Sequence, residues 1–201
     1  HGFPRADGHR EGVKRVRDVA GCCLEKGTRY LSLYTFSSEN WNRPQDEVQG
    51  LMGLFESALL SEVPKLLEHN IRLRAIGDLS RLPASVRQAL EHAVEYTKDR
   101  DGLDVIFAVS YGSRDEITNA IKLISQKVVL GEVAVEDIDN DTISSHLWTR
   151  DIPDPELLIR TSGEYRISNF LLWQIAYSEI VVVPECWPEF SKEVFLDCLD
   201  N

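Results

Sequence analysis

The stretch Leu103 to Val109, reading L-D-V-I-F-A-V, constrains the fold more than any other part of the chain. It is mostly apolar and shows no alternation between a wet and a dry side, so a strand built from it has to be covered on both faces. Strands of that kind belong to parallel sheets with helices packed above and below. The neighbouring patterns agree. Tyr30 to Phe36 and Ile71 to Ile76 read as further strands, the second alternating apolar residues with arginines. Leu157 to Ile159 and Ile180 to Val183 complete the set.

Between the strands the apolar spacing changes from two to three and four. Val13, Val16, Val19, Ala20, Cys23 and Leu24 form one face of a helix closed by Gly27. A second helical pattern runs from Glu47 through Val48, Leu51, Met52, Phe55 and Leu59 to Leu67. Pro64 is expected to kink or restart it. Helices are also expected over Pro83 to about Lys98, after Arg114, briefly within the acidic stretch Gly131 to Trp148, and over Phe190 to Leu199. Strand and helix alternate throughout, without a repeat or a low-complexity linker. The expected fold is therefore α/β: a single domain over residues 1–201, with a central, mostly parallel sheet flanked by helices.

Composition narrows the function. The chain has 201 residues, 43% of them hydrophobic, and a net charge of −11. That acidity argues against a nucleic-acid partner, which wants a basic face. The four cysteines, Cys22, Cys23, Cys186 and Cys198, show no C-x-x-C spacing and read as reduced thiols of a cytoplasmic protein. No apolar run reaches membrane-spanning length.

In parallel sheets, ligands sit at the carboxyl ends of strands. Three polar loops follow strands here: Ser37 to Pro44, Ser110 to Arg114, and Arg160 to Ser168. The last has two arginines six residues apart around Ser162 and Gly163. It leads through Ser168 and Asn169 into an apolar segment, Phe170 to Tyr177, that reads as a helix capped by Ser168. Two guanidinium forks, a hydroxyl and a helix N-terminus make an anion site, and a diphosphate is its natural occupant. The plainer reading of the same residues is a solvated surface loop.

F-S-S-E-N-W-N-R-P (Phe36 to Pro44), G-H-R (Gly8 to Arg10), Y-G-S-R-D-E-I (Tyr111 to Ile117) and R-T-S-G-E-Y-R-I-S-N-F-L-L-W-Q, followed by Glu179, together resemble the cis-prenyltransferases, in order and over essentially the whole chain. The undecaprenyl diphosphate synthase type is the nearest likeness. The resemblance implies an enzyme that condenses an allylic diphosphate, such as farnesyl diphosphate, with successive isopentenyl diphosphates in cis. It further implies Mg²⁺ as cofactor, a homodimer, an apolar product tunnel, and a cytoplasmic enzyme that delivers a polyprenyl diphosphate to the membrane. On the same ground, Arg160, Arg166 and Ser168 look like the isopentenyl diphosphate clamp, and Arg5 and His9 lie near the allylic diphosphate. Ser37, Asn40, Trp41 and Arg43 sit in a flexible catalytic loop, and Glu47 is tied to that loop's closure. Glu179 resembles a magnesium carboxylate, often supplied across a dimer. The helix Val48 to Leu67 walls the tunnel, and Leu103 either closes its far end or is ordinary core.

Two departures stand out. The family's strand leading into M-D-G-N-x-R-W is expected before His1, and Ser110 stands where many relatives have Asn. The first keeps an alternative open, a non-catalytic partner subunit of a two-component cis-prenyltransferase. The retained loop and clamp favour an enzyme. A nucleotide-binding α/β domain has no support, since neither a G-x-G-x-x-G nor a P-loop pattern occurs.

Overall fold

In a computed structural model, which describes residues 5–200 and side chains from Glu11 onward, β3 (Leu103–Tyr111) runs between β1 (Tyr30–Ser37) and β2 (Ile71–Ile76), parallel to both. The apolar run is explained by this position. Leu103, Val105 and Val109 enter the larger core with α1 (Arg5–Lys26), α2 (Gln45–Glu68) and α3 (Ala84–Thr97). Ile106, Ala108 and Tyr111 enter a second core on the opposite face, with Ile76 and Leu171. Asp104 is the polar exception, 1% exposed, and Arg72 of β2 holds it with two bonds of 2.9 and 2.6 Å. A buried carboxylate is tolerable only when paired in this way.

The remaining strands form a separate pair. β4 (Leu157–Arg160) and β5 (Glu179–Val182) are parallel and share no ladder with β1–β3 among the described residues. Among the described residues the strands thus fall into two parallel groups, and the edges of β1 and β4 border one common cavity. The other helices are α4 (Ser113–Val129), α5 (Asn140–Ser144) and α6 (Lys192–Asp200).

Two local expectations need correction. α2 continues unbroken through Pro64. The ring removes the donor that would have reached the carbonyl of Leu60, a residue on the helix's exposed face, and the helical pattern continues on both sides of it. The second correction concerns Phe170 to Tyr177, which is a series of turns and not a helix. Ser168, Asn169 and Leu171 have φ of 56°, 62° and 47°, so the right-handed spiral cannot start.

Glycine is required at the end of β2. Gly77 has φ of 126°, and a Cβ there would lie 2.0 Å from the carbonyl oxygen of Val109. This close approach lets Asp78 donate its N–H to Ser110 at 3.1 Å and holds the carboxyl ends of β2 and β3 together.

Candidate active site

Arg160 closes β4 at its carboxyl end, and its Nε is buried without a hydrogen-bond partner among the described residues. An unpaired guanidinium donor is costly inside a protein, so its occurrence points to a ligand that completes it. The loop that follows is wound through left-handed residues, with Ser162 at φ 70° and Gly163 at 62° before Ser168 and Asn169. Backbone amides pin it from the other side: Ser162 donates to Glu185 at 2.7 Å and Gly163 to Val183 at 2.8 Å. Conformations of this kind cost free energy and persist only where surrounding contacts impose them.

Arg160 faces one end of a cavity of about 1680 Å³. The cavity runs along the edge of β1. Leu51, Met52, Phe55, Leu59 and Val63 of α2 line it, with Val105 and Phe107 of β3 opposite. Arg43, Glu47 and Thr161 also border it. The combination of cationic groups with a long apolar wall suits a ligand with an anionic head and a hydrocarbon body. Leu103 is fully buried in the core and is not among the residues lining this cavity.

The loop after β1 is a 3₁₀ helix, Ser38–Asn42, and its residues are placed by specific bonds. Asn40 Oδ1 accepts from the Ser37 N–H at 3.1 Å, tightening the first turn. Trp41 packs edge-on against Phe36 with centroids 4.9 Å apart and donates its indole N–H to Ser110 Oγ at 3.0 Å. Arg81 stands 5.3 Å over the indole ring. Arg43 and Glu47 form an ion pair at 2.7 Å that joins the loop to the first turns of α2. Ser110 adopts φ of 51°, a conformation Asn tolerates better than most residues, which gives the departure at this position a physical meaning.

Tyr34 and Tyr111 stack the two sheets' loops together. Tyr34 lies flat on Phe170 at 4.5 Å, and its hydroxyl donates to the carbonyls of Tyr111 at 3.3 Å and Ser168 at 3.2 Å. Burial, with help from the nearby Glu39 carboxylate, pushes the Tyr34 phenol up to about 12. Beneath this layer Tyr111 donates to the fully buried Glu116, which also accepts from Gln174 at 3.1 Å.

The other candidates are less centrally placed. Arg166 pairs with Glu164 within its own exposed loop. Ser168 contributes its carbonyl to Tyr34 and does not cap a helix. Glu179 pairs with Leu157 in the sheet register, whereas Arg160 pairs with Val182. Three residues of strand, about 10 Å, therefore separate Glu179 from the level of Arg160, at the opposite end of the sheet. Among the described residues no group of three or more His, Cys, Asp or Glu side chains converges on a point that could hold a metal. The side chains of Arg5 and His9 lie outside the described residues. Asn169, Glu39 and Tyr34, which the sequence did not single out as candidates, link these loops by hydrogen bonds. The only signal in the sequence was an Asn beside a Ser in a strained turn.

A sequence profile for the family described as putative undecaprenyl diphosphate synthase matches residues 1–201. The isoprenyl transferase of Porphyromonas gingivalis is 48% identical over 198 residues, spanning 98% of this chain and 76% of its own. The ditrans,polycis-undecaprenyl-diphosphate synthase of Micrococcus luteus, specific for (2E,6E)-farnesyl diphosphate, is 43% identical over 98% of this chain and 79% of its own. Among solved structures, lavandulyl diphosphate synthase from Lavandula x intermedia, in complex with dimethylallyl diphosphate, superimposes with a TM-score of 0.96 at 36% identity. It covers 99% of this chain and 86% of that one. A probable undecaprenyl diphosphate synthase from Campylobacter jejuni gives 0.83 at 36% identity, over 95% and 88%. With motifs, fold and whole-length similarity in agreement, the chain belongs to the undecaprenyl diphosphate synthase family of prenyltransferases.

Proposed function

We propose that this protein elongates an allylic diphosphate with successive isopentenyl diphosphates in cis, to a long polyprenyl diphosphate lipid carrier. The observation that carries the proposal is the unpaired, buried Nε of Arg160 at the end of an apolar cavity of about 1680 Å³. In each cycle the isopentenyl double bond attacks C1 of the allylic unit. The C1–O bond to diphosphate breaks, and a proton leaves C2 of the isopentenyl unit. Arg160 and Arg166 hold the isopentenyl diphosphate, and the loop of Ser37, Asn40, Trp41 and Arg43 closes over the reacting ends. Glu47 fixes the base of that loop through its ion pair with Arg43. Fixed cationic donors work best in a site that excludes water, where each is worth several-fold more than in solution. The α2 wall then receives the growing hydrocarbon.

Magnesium belongs to this proposal as the family's cofactor, and it supplies charge neutralisation for the diphosphates. Glu179 lies at the other end of the β4–β5 pair from its own Arg160, so in the proposal its carboxylate serves the site of a second copy. A homodimer is also supported by exposed apolar side chains on and after α4, including Ile121, Val129, Leu130 and Val135. No described helix is long and apolar enough to cross a membrane. As the family likeness implies, the proposal places the enzyme in the cytoplasm, passing its product to the membrane surface.

The test is incubation of the full-length protein with farnesyl diphosphate, radiolabelled isopentenyl diphosphate and magnesium, followed by chromatography of the products. Magnesium-dependent formation of a ladder of extended prenyl chains is expected. A single condensation to a branched product would move the chain towards the lavandulyl type of relative. No consumption of either substrate would overturn the proposal.

A further inference from the structure

One side chain outside the clamp and the loop joins the two. Asn169 sits at φ 62°, directly after Ser168, and its polar groups bond two separate elements, the start of α4 and the 3₁₀ segment. Its carbonyl accepts the Ser113 N–H at 2.8 Å and its Oδ1 accepts the Arg114 N–H at 2.9 Å. These are the first donors of α4, left unsatisfied by any cap of the helix's own, since its N-cap is Gly112. Its Nδ2 donates to the Glu39 carboxylate at 2.8 Å, which places the 3₁₀ segment. Gly112 makes room for this arrangement. A Cβ there would meet Ser38 Oγ at 2.6 Å and Asn169 Nδ2 at 2.7 Å, so loop and clamp close onto bare backbone.

We infer that Asn169 is a positioning residue that sets the 3₁₀ segment Ser38–Asn42 against the arginine clamp by gripping Glu39 from the fixed N-terminus of α4. The inference rests on the prenyl-transfer reading for its kinetic consequence, though not for its structural one. Three features support it together. Asn169 is anchored on the helix by two bonds, so its amide is held rigid. Glu39 is exposed and belongs to a short segment with no buried residue, and the Asn169 amide is the contact that ties its carboxylate to the clamp loop. The Glu39 carboxyl also lies below its usual range: burial would raise it, but the Asn169 amide, its own backbone and the Ser37 and Ser38 side chains outweigh that.

The chemistry of the contact provides its own control. Asn169→Asp keeps the acceptor for Arg114 but sets a second carboxylate against Glu39. Adding Glu39→Gln restores a donor to the contact with its direction reversed. Asn169→Asp is expected to raise amide exchange over residues 38–42 at least tenfold with the melting temperature nearly unchanged. It should lower kcat and raise KM for isopentenyl diphosphate, with allylic diphosphate binding unaltered. The Glu39→Gln/Asn169→Asp pair should recover most of both. Glu39→Ala, which leaves the α4 cap untouched, should loosen the segment as well, so the test survives if the aspartate variant folds poorly. Unchanged exchange over 38–42 in Asn169→Asp or Glu39→Ala overturns the inference, as does a double variant no better than the single one. Because exchange is read without substrate, a protein that turns over no prenyl diphosphate would refute the proposed function and leave this result standing.

Discussion

Replacing Arg160 by Met separates a binding role from a structural one, because the two predict opposite signs. The native side chain holds a buried Nε with no partner among the described residues, and such an unmet donor costs about 1–3 kcal/mol. Methionine keeps much of the stem's length and packing while removing both the orphan donor and the charge. The ligand-free variant should gain about 1 kcal/mol, which for a chain of this size raises Tm by about 2–4 °C. Binding should move the other way. A charge-assisted hydrogen bond is worth about 1.5–3 kcal/mol, so each one lost lowers kcat/KM for isopentenyl diphosphate about ten- to a hundredfold. Differential scanning fluorimetry, with and without inorganic diphosphate, reads both at once. Diphosphate should raise the melting point of the parent protein and not that of the variant. Arg166 already pairs with Glu164 on an exposed loop, so Arg166→Met should cost less in turnover and shift Tm little. A less stable Arg160→Met protein with unimpaired kinetics would refute the reasoning and make Arg160 part of the scaffold.

Three further outcomes follow from the geometry. Leu103→Ala should lower stability by about 2–5 kcal/mol without changing product length, because Leu103 is core and does not line the cavity. Leu59→Ala, on the lining, should shift the product distribution on chromatography, and the reverse pattern would refute the assignment. Tyr34 has a phenol raised from 10.0 to about 12, so the folded state favours its neutral form. Its contribution is whole below pH 10 and is lost as pH climbs towards 12. Melting temperatures should fall more steeply over that window in the parent than in Tyr34→Phe, and parallel curves would show Tyr34 uninvolved. Of the four cysteines, none in a disulfide, Cys22, Cys23 and Cys198 are buried with thiols pushed up by burial, Cys23 to about 11. A thiol reagent at neutral pH should modify only half-buried Cys186 quickly, and all four after denaturation; rapid modification of two or more in the native state would contradict the packing.

Much of this was legible in the sequence because it is local. The unalternated run Leu103 to Val109 demanded cover on both sides, and the spacing from Val48 to Leu67 could only be a helix with one long apolar face. Arg160 was singled out as a candidate anion-binding side chain by its place after a short strand, with Arg166 and Ser168 beyond it. What the tertiary structure alone decided was non-local. Pro64 does not end the helix, which runs on through it to Glu68. Ser168 caps nothing, since the turn it stands in is left-handed, and the N-terminus of α4 is capped instead by Asn169, 55 residues away in the chain. The division of the described strands into two parallel groups, with a cavity bordered by both, depends on which backbone edges pair. Side-chain periodicity says which face of a strand is dry and nothing about which strand lies beside it. A hydrogen bond between residues far apart in the chain leaves no spacing in the sequence to be read.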